Sequence, residues 1–207
     1  TGPYVRRILP DGNVDPSFMS LNSNPYFNSG TGGDYHVFED GRVLLTGQHS
    51  LSDVVRGFTG IHHAVFFQST GYLDTTRTHR KAVGTIWRVK AQADGRILCG
   101  GAVSQYDNTP VPPVFRIHPD GALDTSFQSV TTWGTTFWYN FIPLPDGRFY
   151  QTGFYGTSAT GSDTLCIARF MPDGTIDASF DPPSFGMGQM SGPLAVTGGS
   201  ILNDGRL

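Results

Sequence analysis

Pro119-Asp120-Gly121-Ala122-Leu123-Asp124-Thr125-Ser126-Phe127 is one of four copies of a single phrase. Pro10 to Phe18 and Pro172 to Phe180 repeat it, and Thr70-Gly71-Tyr72-Leu73-Asp74 is a degenerate copy. A second phrase alternates with the first: Asp40-Gly41-Arg42-Val43, Asp94-Gly95-Arg96-Ile97, Asp146-Gly147-Arg148-Phe149 and Asp204-Gly205-Arg206-Leu207. The combined period is about fifty residues, and a fixed period of that length is the signature of a stacked repeat architecture.

The unit between Val83 and Phe127 reads as four short strands. Val83 to Gln92 is an apolar strand, and Asp94-Gly95 turns it tightly, with both turn residues expected at positive φ, into a second strand from Arg96 to Val103. A loop from Ser104 to Pro113 leads to Val114-Phe115-Arg116-Ile117, and Pro119-Asp120-Gly121 turns that strand into a short fourth one around Leu123. A four-stranded antiparallel meander cannot bury both faces alone, and radial stacking of such sheets into a β-propeller is the expected solution. In an up-and-down sheet both Asp-Gly turns fall at one end. The opposite end is then expected to carry the long segments Gln48 to His62, Ser104 to Pro113 and Phe154 to Asp163, together with the inter-unit connections Met19 to Gly33, Arg77 to Val83, Gln128 to Thr135 and Asp181 to Pro193.

Bulk composition agrees. The 207 residues include 27 glycines and 14 prolines with only 15% charged residues, which suits a turn-dense all-β chain, and no composition break divides the single domain 1–207. A net charge of -3 and the isolated basic cluster Arg77, His79, Arg80 and Lys81 exclude a nucleic-acid footprint. No apolar run approaches the ~20 residues needed to span a bilayer. Both ends fall inside a repeat, so the chain is expected to be an excerpt of a longer protein.

The pairing of Pro-Asp-Gly-x-hydrophobic-Asp-x-Ser-Phe with Asp-Gly-Arg-hydrophobic resembles the delta-60 repeat, a bacterial β-propeller repeat. The resemblance spans essentially the whole chain and includes Gly100-Gly101 on the second strand. It implies a ring of six to eight blades, sampled here as three full blades and two partial ones. It also implies an extracellular or envelope-associated bacterial protein with further domains in the same chain. One copy departs: around Gly71 the turn lacks its Pro and Asp, and Arg77 stands where the Phe belongs. Phe18, Phe127 and Phe180 are expected to pack between neighbouring blades, and Arg77 to face solvent or find a partner.

Candidate chemistry is sparse. The pairs Asp11 and Asp15, Asp120 and Asp124, and Asp173 and Asp177 offer too few oxygens for calcium, and a turn Asp ordinarily accepts backbone N–H groups instead. His62 and His63 are adjacent on a strand and point to opposite faces, so at most one could join a zinc site, and His36, His49, His79 and His118 lack ligand spacing. Cys99 and Cys166 sit at non-equivalent positions and are expected to be unbridged. No catalytic or cofactor-binding motif appears. The aromatic stretch Trp133 to Phe141 suits either blade packing or sugar stacking. These readings lead to a non-enzymatic propeller that needs no cofactor and contacts a protein or polysaccharide through its long-loop end, with His49, Arg56, His62, Tyr106, Asp107, Trp133, Tyr155 and Asp163 as the candidate surface. The alternatives are the scaffold part of a larger extracellular enzyme and a structural subunit of a surface assembly.

Overall fold

A computed structural model describes residues 5–18, 27–134, 140–156 and 164–181. Among them the chain is all β, every strand pairing is antiparallel, and no helix occurs, so none is long and apolar enough to cross a membrane.

Three sheets follow one another along the chain. The first is β1 (Phe27–Val37), β2 (Val43–Asp53) and β3 (Phe58–Phe67) in that order. The second begins with β4 (Ala82–Ala91) and β5 (Ile97–Tyr106), and its third row is interrupted into β6 (Thr109–Pro110) and β7 (Val114–Ile117), both paired to β5. In the third sheet the first row is interrupted, as β8 (Trp133–Gly134) and β9 (Asn140–Pro143), and both pieces pair with β10 (Phe149–Gly156), which pairs in turn with β11 (Thr164–Phe170). The fourth row of each sheet is a single bridge: Phe67 to Leu73, Ile117 to Leu123, and Phe170 to Ile176. Residues 5–18 form the same corner, with Ile8 bridged to Val14.

All seven described turns, six Asp-Gly and the Thr70-Gly71 turn, are built alike. Phe38 accepts from the Gly41 N–H (2.8 Å) and donates to the Arg42 carbonyl (2.9 Å), and the same pair of bonds closes at Leu9, Gln68, Gln92, His118, Leu144 and Met171. The expectation that both turn residues take positive φ is corrected here. Only the glycine does, with φ between 79° and 93° across the seven turns, because the loop has three residues and needs one left-handed position at its end. The aspartate instead accepts the N–H two residues on, as Asp40 does from Arg42 (3.1 Å) and Asp120 from Ala122 (2.9 Å).

The segments read as long loops are largely hairpins. Residues 48–62 continue β2 and β3, leaving Val54 to Gly57 as the turn. Between β5 and β6 the turn is Asp107-Asn108, at φ 46° and 64°, the two positive-φ residues other than glycine among those described. Bulges bend these hairpins: the β2–β3 and β10–β11 registers shift beside Gly47 and Gly153 (φ 135° and 136°), and the β4–β5 register shifts at Gly100-Gly101. The second hairpin folds back far enough for the Tyr106 hydroxyl to donate to the Gly121 carbonyl (2.7 Å). In this sheet, then, the hairpin and the turn after β7 are in contact and do not occupy opposite ends.

Apolar clusters fill the junctions between sheets. Leu44, Ala64 and Phe66 meet Ile86, Ile97, Tyr106 and Phe115 at the first, and Leu98 and Val114 meet Phe141, Phe149 and Phe170 at the second. Phe127 packs across that second junction against Phe149, with its ring on Gly174, whereas Phe180 lies against Tyr150 of its own sheet.

Candidate functional site

The repeated phrases assemble an ionic clamp. Arg7, Arg116 and Arg169 each donate Nε to Oδ2 of the aspartate eight residues on, Asp15, Asp124 and Asp177, all at 2.7 Å. Each guanidinium also lies over the phenylalanine that ends the phrase, 5.2 Å from Phe18, 4.7 Å from Phe127 and 5.2 Å from Phe180. The other carboxylate oxygen takes the N–H and hydroxyl of Ser17, Ser126 or Ser179. The arginine of the second phrase reaches across as well: Arg96 to Asp124 (3.4 Å) and Arg148 to Asp177 (3.2 Å).

The electrostatics follow from those donors. The Ser17 hydroxyl and N–H, with Arg7, hold the Asp15 carboxyl at about 2. Burial pushes Asp124 upward, but Ser126 and Arg116 outweigh it and bring it to about 2. The Ser179 hydroxyl likewise keeps Asp177 well below the usual carboxylate range. The carboxylates considered for calcium are thus engaged by protein donors. Among the described residues no group of three or more His, Cys, Asp or Glu side chains converges on a point.

The degenerate copy exchanges two residues. Phe66 stands fifty residues before Arg116, and Arg77 fifty before Phe127, so arginine and phenylalanine have traded places around Asp74. The Phe66 ring now seats on Gly121 as the Phe127 ring seats on Gly174. Asp74 keeps the Thr76 N–H and hydroxyl, but its buried Oδ2 has no hydrogen-bond donor, and Arg42 Nη1 is 3.8 Å away.

The candidate surface residues separate into groups. Arg56 is exposed at the β2–β3 turn and paired with Asp53 (3.0 Å). It adjoins Val54 and Val55, which are 77% and 95% exposed. His49, Tyr106 and His62 are buried and cannot form an open surface: Tyr106 lies inside the first junction, His49 packs on Phe27 of its own sheet, and His62 lies on the first hairpin at its base. Asp107 ties the hairpin tip to the neighbouring connection, accepting from Arg80 Nη1 (2.8 Å) and the Lys81 N–H (3.1 Å). Trp133 and Tyr155 lie on paired strands, Gly156 opposite Trp133 and Tyr155 opposite Gly134. Asp163 lies outside the described residues. Cys99 and Cys166 form no disulfide.

Four histidines gather at the base of the first hairpin, a grouping that spacing along the chain did not suggest. His49 and His62 are cross-strand partners, His63 follows on β3, and His79 comes from the connection to β4. The His62 and His79 rings stand 6.1 Å apart, and Phe58 meets His79 at 4.5 Å. Burial lowers all four below the ordinary histidine value, His49 and His79 to about 4. The signal was the symmetry of His49 and His62 about the turn at 54–57, legible only once that segment is read as a hairpin.

A cleft of 640 Å³ separates residues 5–18 from the first sheet, lined by Val5, Ile8, Phe18, Tyr35, Val37 and Leu45 with Arg6 and Arg7 beside them. Nothing in the repeat pattern announces it.

The comparison with protein families agrees with this architecture. A family model described as a domain of unknown function (DUF5122) beta-propeller matches residues 1–18, 92–127 and 144–180, the segments that carry the repeated phrases. These fragments are similar to a β-propeller repeat. No curated protein matches the chain. A solved structure of a protein of unknown function from Bacteroides caccae is similar at 11% sequence identity and a TM-score of 0.31, over 83% of this chain and 72% of that one.

Proposed function

We propose that this chain is part of a non-enzymatic binding module, secreted or held at the cell surface, that docks a protein partner through the tip of its β2–β3 hairpin. Its three sheets are read as consecutive four-stranded blades of a closed ring of six to eight, built from delta-60 repeats. The observation that carries the binding reading is the tip itself. Val54 and Val55 are 77% and 95% exposed beside Arg56, an apolar pair and a cation held out on a rigid hairpin. Such a knob suits insertion into a protein groove. The non-enzymatic reading draws on the carboxylates of the described turns, which are engaged in scaffold bonds and carry no free acid–base pair. A polysaccharide ligand is the second reading, favoured by the pairing that sets Trp133 and Tyr155 on adjacent strands.

The test compares the full-length parent protein with its Val54→Ser/Val55→Ser/Arg56→Ser variant in cross-linking to surface-protein extracts and on a glycan array. A cross-linked partner lost in the variant supports the protein reading. Equal cross-linking by both forms sinks the hairpin tip as the site, and binding confined to the glycan array transfers the function to the second reading.

A further inference from the structure

The connection from the first sheet to the second, residues 79–82, runs back along β3. Arg80 exchanges backbone bonds with Ala64 and accepts from the His63 N–H (2.7 Å). Two more bonds at this seam end on imidazole nitrogens. The Phe66 N–H donates to His79 Nδ1 (3.1 Å), and the Ala82 N–H donates to His63 Nδ1 (3.0 Å). A ring nitrogen that accepts carries no proton, so both rings are neutral with hydrogen on Nε2. An imidazolium has two donors and no acceptor. A proton added to either ring therefore sets N–H against N–H and removes a bond that holds the seam.

We propose that residues 79–82 form an acid-released joint: neutral His63 and His79 hold this strap, with the start of β4, against β3, and their protonation frees it.

The surroundings favour release once protons bind. His49 faces the joint from β2, His62 and His63 from β3, His79, Arg80 and Lys81 from the strap, Asp74 from the turn after β3, and Asp107 from the turn after β5. Asp107 is occupied by Arg80 and by the Lys81 N–H. Asp74 is the carboxylate that favours a charged His79, and burial outweighs it. Charge on either ring is opposed by burial and by the neighbouring His62. His79 Nε2 is also buried without a hydrogen-bond partner, so an imidazolium there would keep a buried N–H unsatisfied while the strap is closed. The open form, with rings near their ordinary 6.5, binds more protons than the closed form, with His79 near 4. The joint is thus closed at neutral pH, and opening is driven as pH falls from 6.5 toward 4.

Hydrogen exchange of the whole chain at pH 7 and pH 4.5, corrected for intrinsic rates, tests this. Amides 63–66 and 80–82 are expected to lose at least about tenfold protection at pH 4.5, while 97–100 and 149–152 keep theirs. Unchanged protection at the strap, or loss everywhere together, overturns the joint. The His63→Gln/His79→Gln variant supplies amide oxygens that accept the same N–H groups without titrating, and it is expected to stay closed at pH 4.5. Opening of that variant as in the parent removes the histidines as the cause. Should it fail to fold, histidine Cε1–H resonances of the unmodified protein decide the matter: midpoints below 6.5 that coincide with opening support the joint, and midpoints apart from it overturn it.

Discussion

Arg116 is the most buried cation of the repeat, 2% exposed, and it gathers Asp124, Gln92 Oε1 (3.0 Å), the Pro172 carbonyl and the Phe127 face at one point. Removing its carboxylate leaves a buried charge without its counterion, so Asp124→Ala is expected to cost about 3–5 kcal/mol in urea unfolding. Asp15→Ala, whose partner Arg7 is 43% exposed, should cost clearly less. The exchange of Phe66 and Arg77 makes a sharper case. Phe66→Arg alone loses the ring on Gly121, and Arg77→Phe alone adds an apolar ring with no vacancy for it. The double variant supplies Asp74 with the missing guanidinium and a ring in the place Phe127 occupies one unit later. Its unfolding free energy is expected to exceed the additive sum of the singles by 1 kcal/mol or more, on the scale of coupled neighbours; simple additivity would refute the exchange. The turn glycines, and the aspartates at 15, 74, 124 and 177, were legible in the sequence because every copy keeps them. The clamp was not, since its arginine lies eight residues upstream and one unit of the three with a full sheet replaces it with phenylalanine.

At the scale of strands and turns, the seven glycine-ended hairpins share one geometry because the left-handed glycine has no tolerable substitute. A Cβ on Gly174 would sit 2.8 Å from the Phe127 ring at φ 93°, so Gly174→Ala combines backbone strain with a steric clash, and a loss of about 1–3 kcal/mol is expected in thermal unfolding. Asn108 takes positive φ in the second hairpin without being glycine. Asn108→Gly should leave the Asp107 bonds intact and raise stability by up to about 1 kcal/mol, and a lowered melting temperature would refute the turn geometry. Strand existence and order were readable from alternation and turn signals. Hairpin length was not. Asp107-Asn108 lacks the glycine that announces a tight turn, and Gln48 to His62 mixes polar residues into strands whose outer halves face water on one side.

Considered as a whole, the molecule carries two sets of titrating groups that act in separate ranges of pH. The buried histidines are depressed from 6.5, so the unfolded chain binds their protons first and stability falls as pH drops from 6.5 toward 4. The clamped aspartates are depressed from 3.8, so their contribution is complete above that value and disappears as pH falls through about 2. Denaturation midpoints measured between pH 8 and pH 2 should descend in two stages, and a single descent confined below pH 4 would show that the histidine cluster does not titrate on unfolding. The propeller-like succession of sheets was visible in the period of the sequence, whereas the histidine cluster and the cleft beside residues 5–18 arise from how bent hairpins and neighbouring sheets meet, which no single repeat encodes. The rings seated on turn glycines have a further implication for synthesis on the ribosome. Phe66 is a plug whose socket, Gly121, is translated 55 residues later, and Phe127 waits 47 residues for Gly174. Each unit therefore emerges before the surface that locks it, so the nascent chain folds one repeat behind its own elongation and its newest completed sheet is always the least secured.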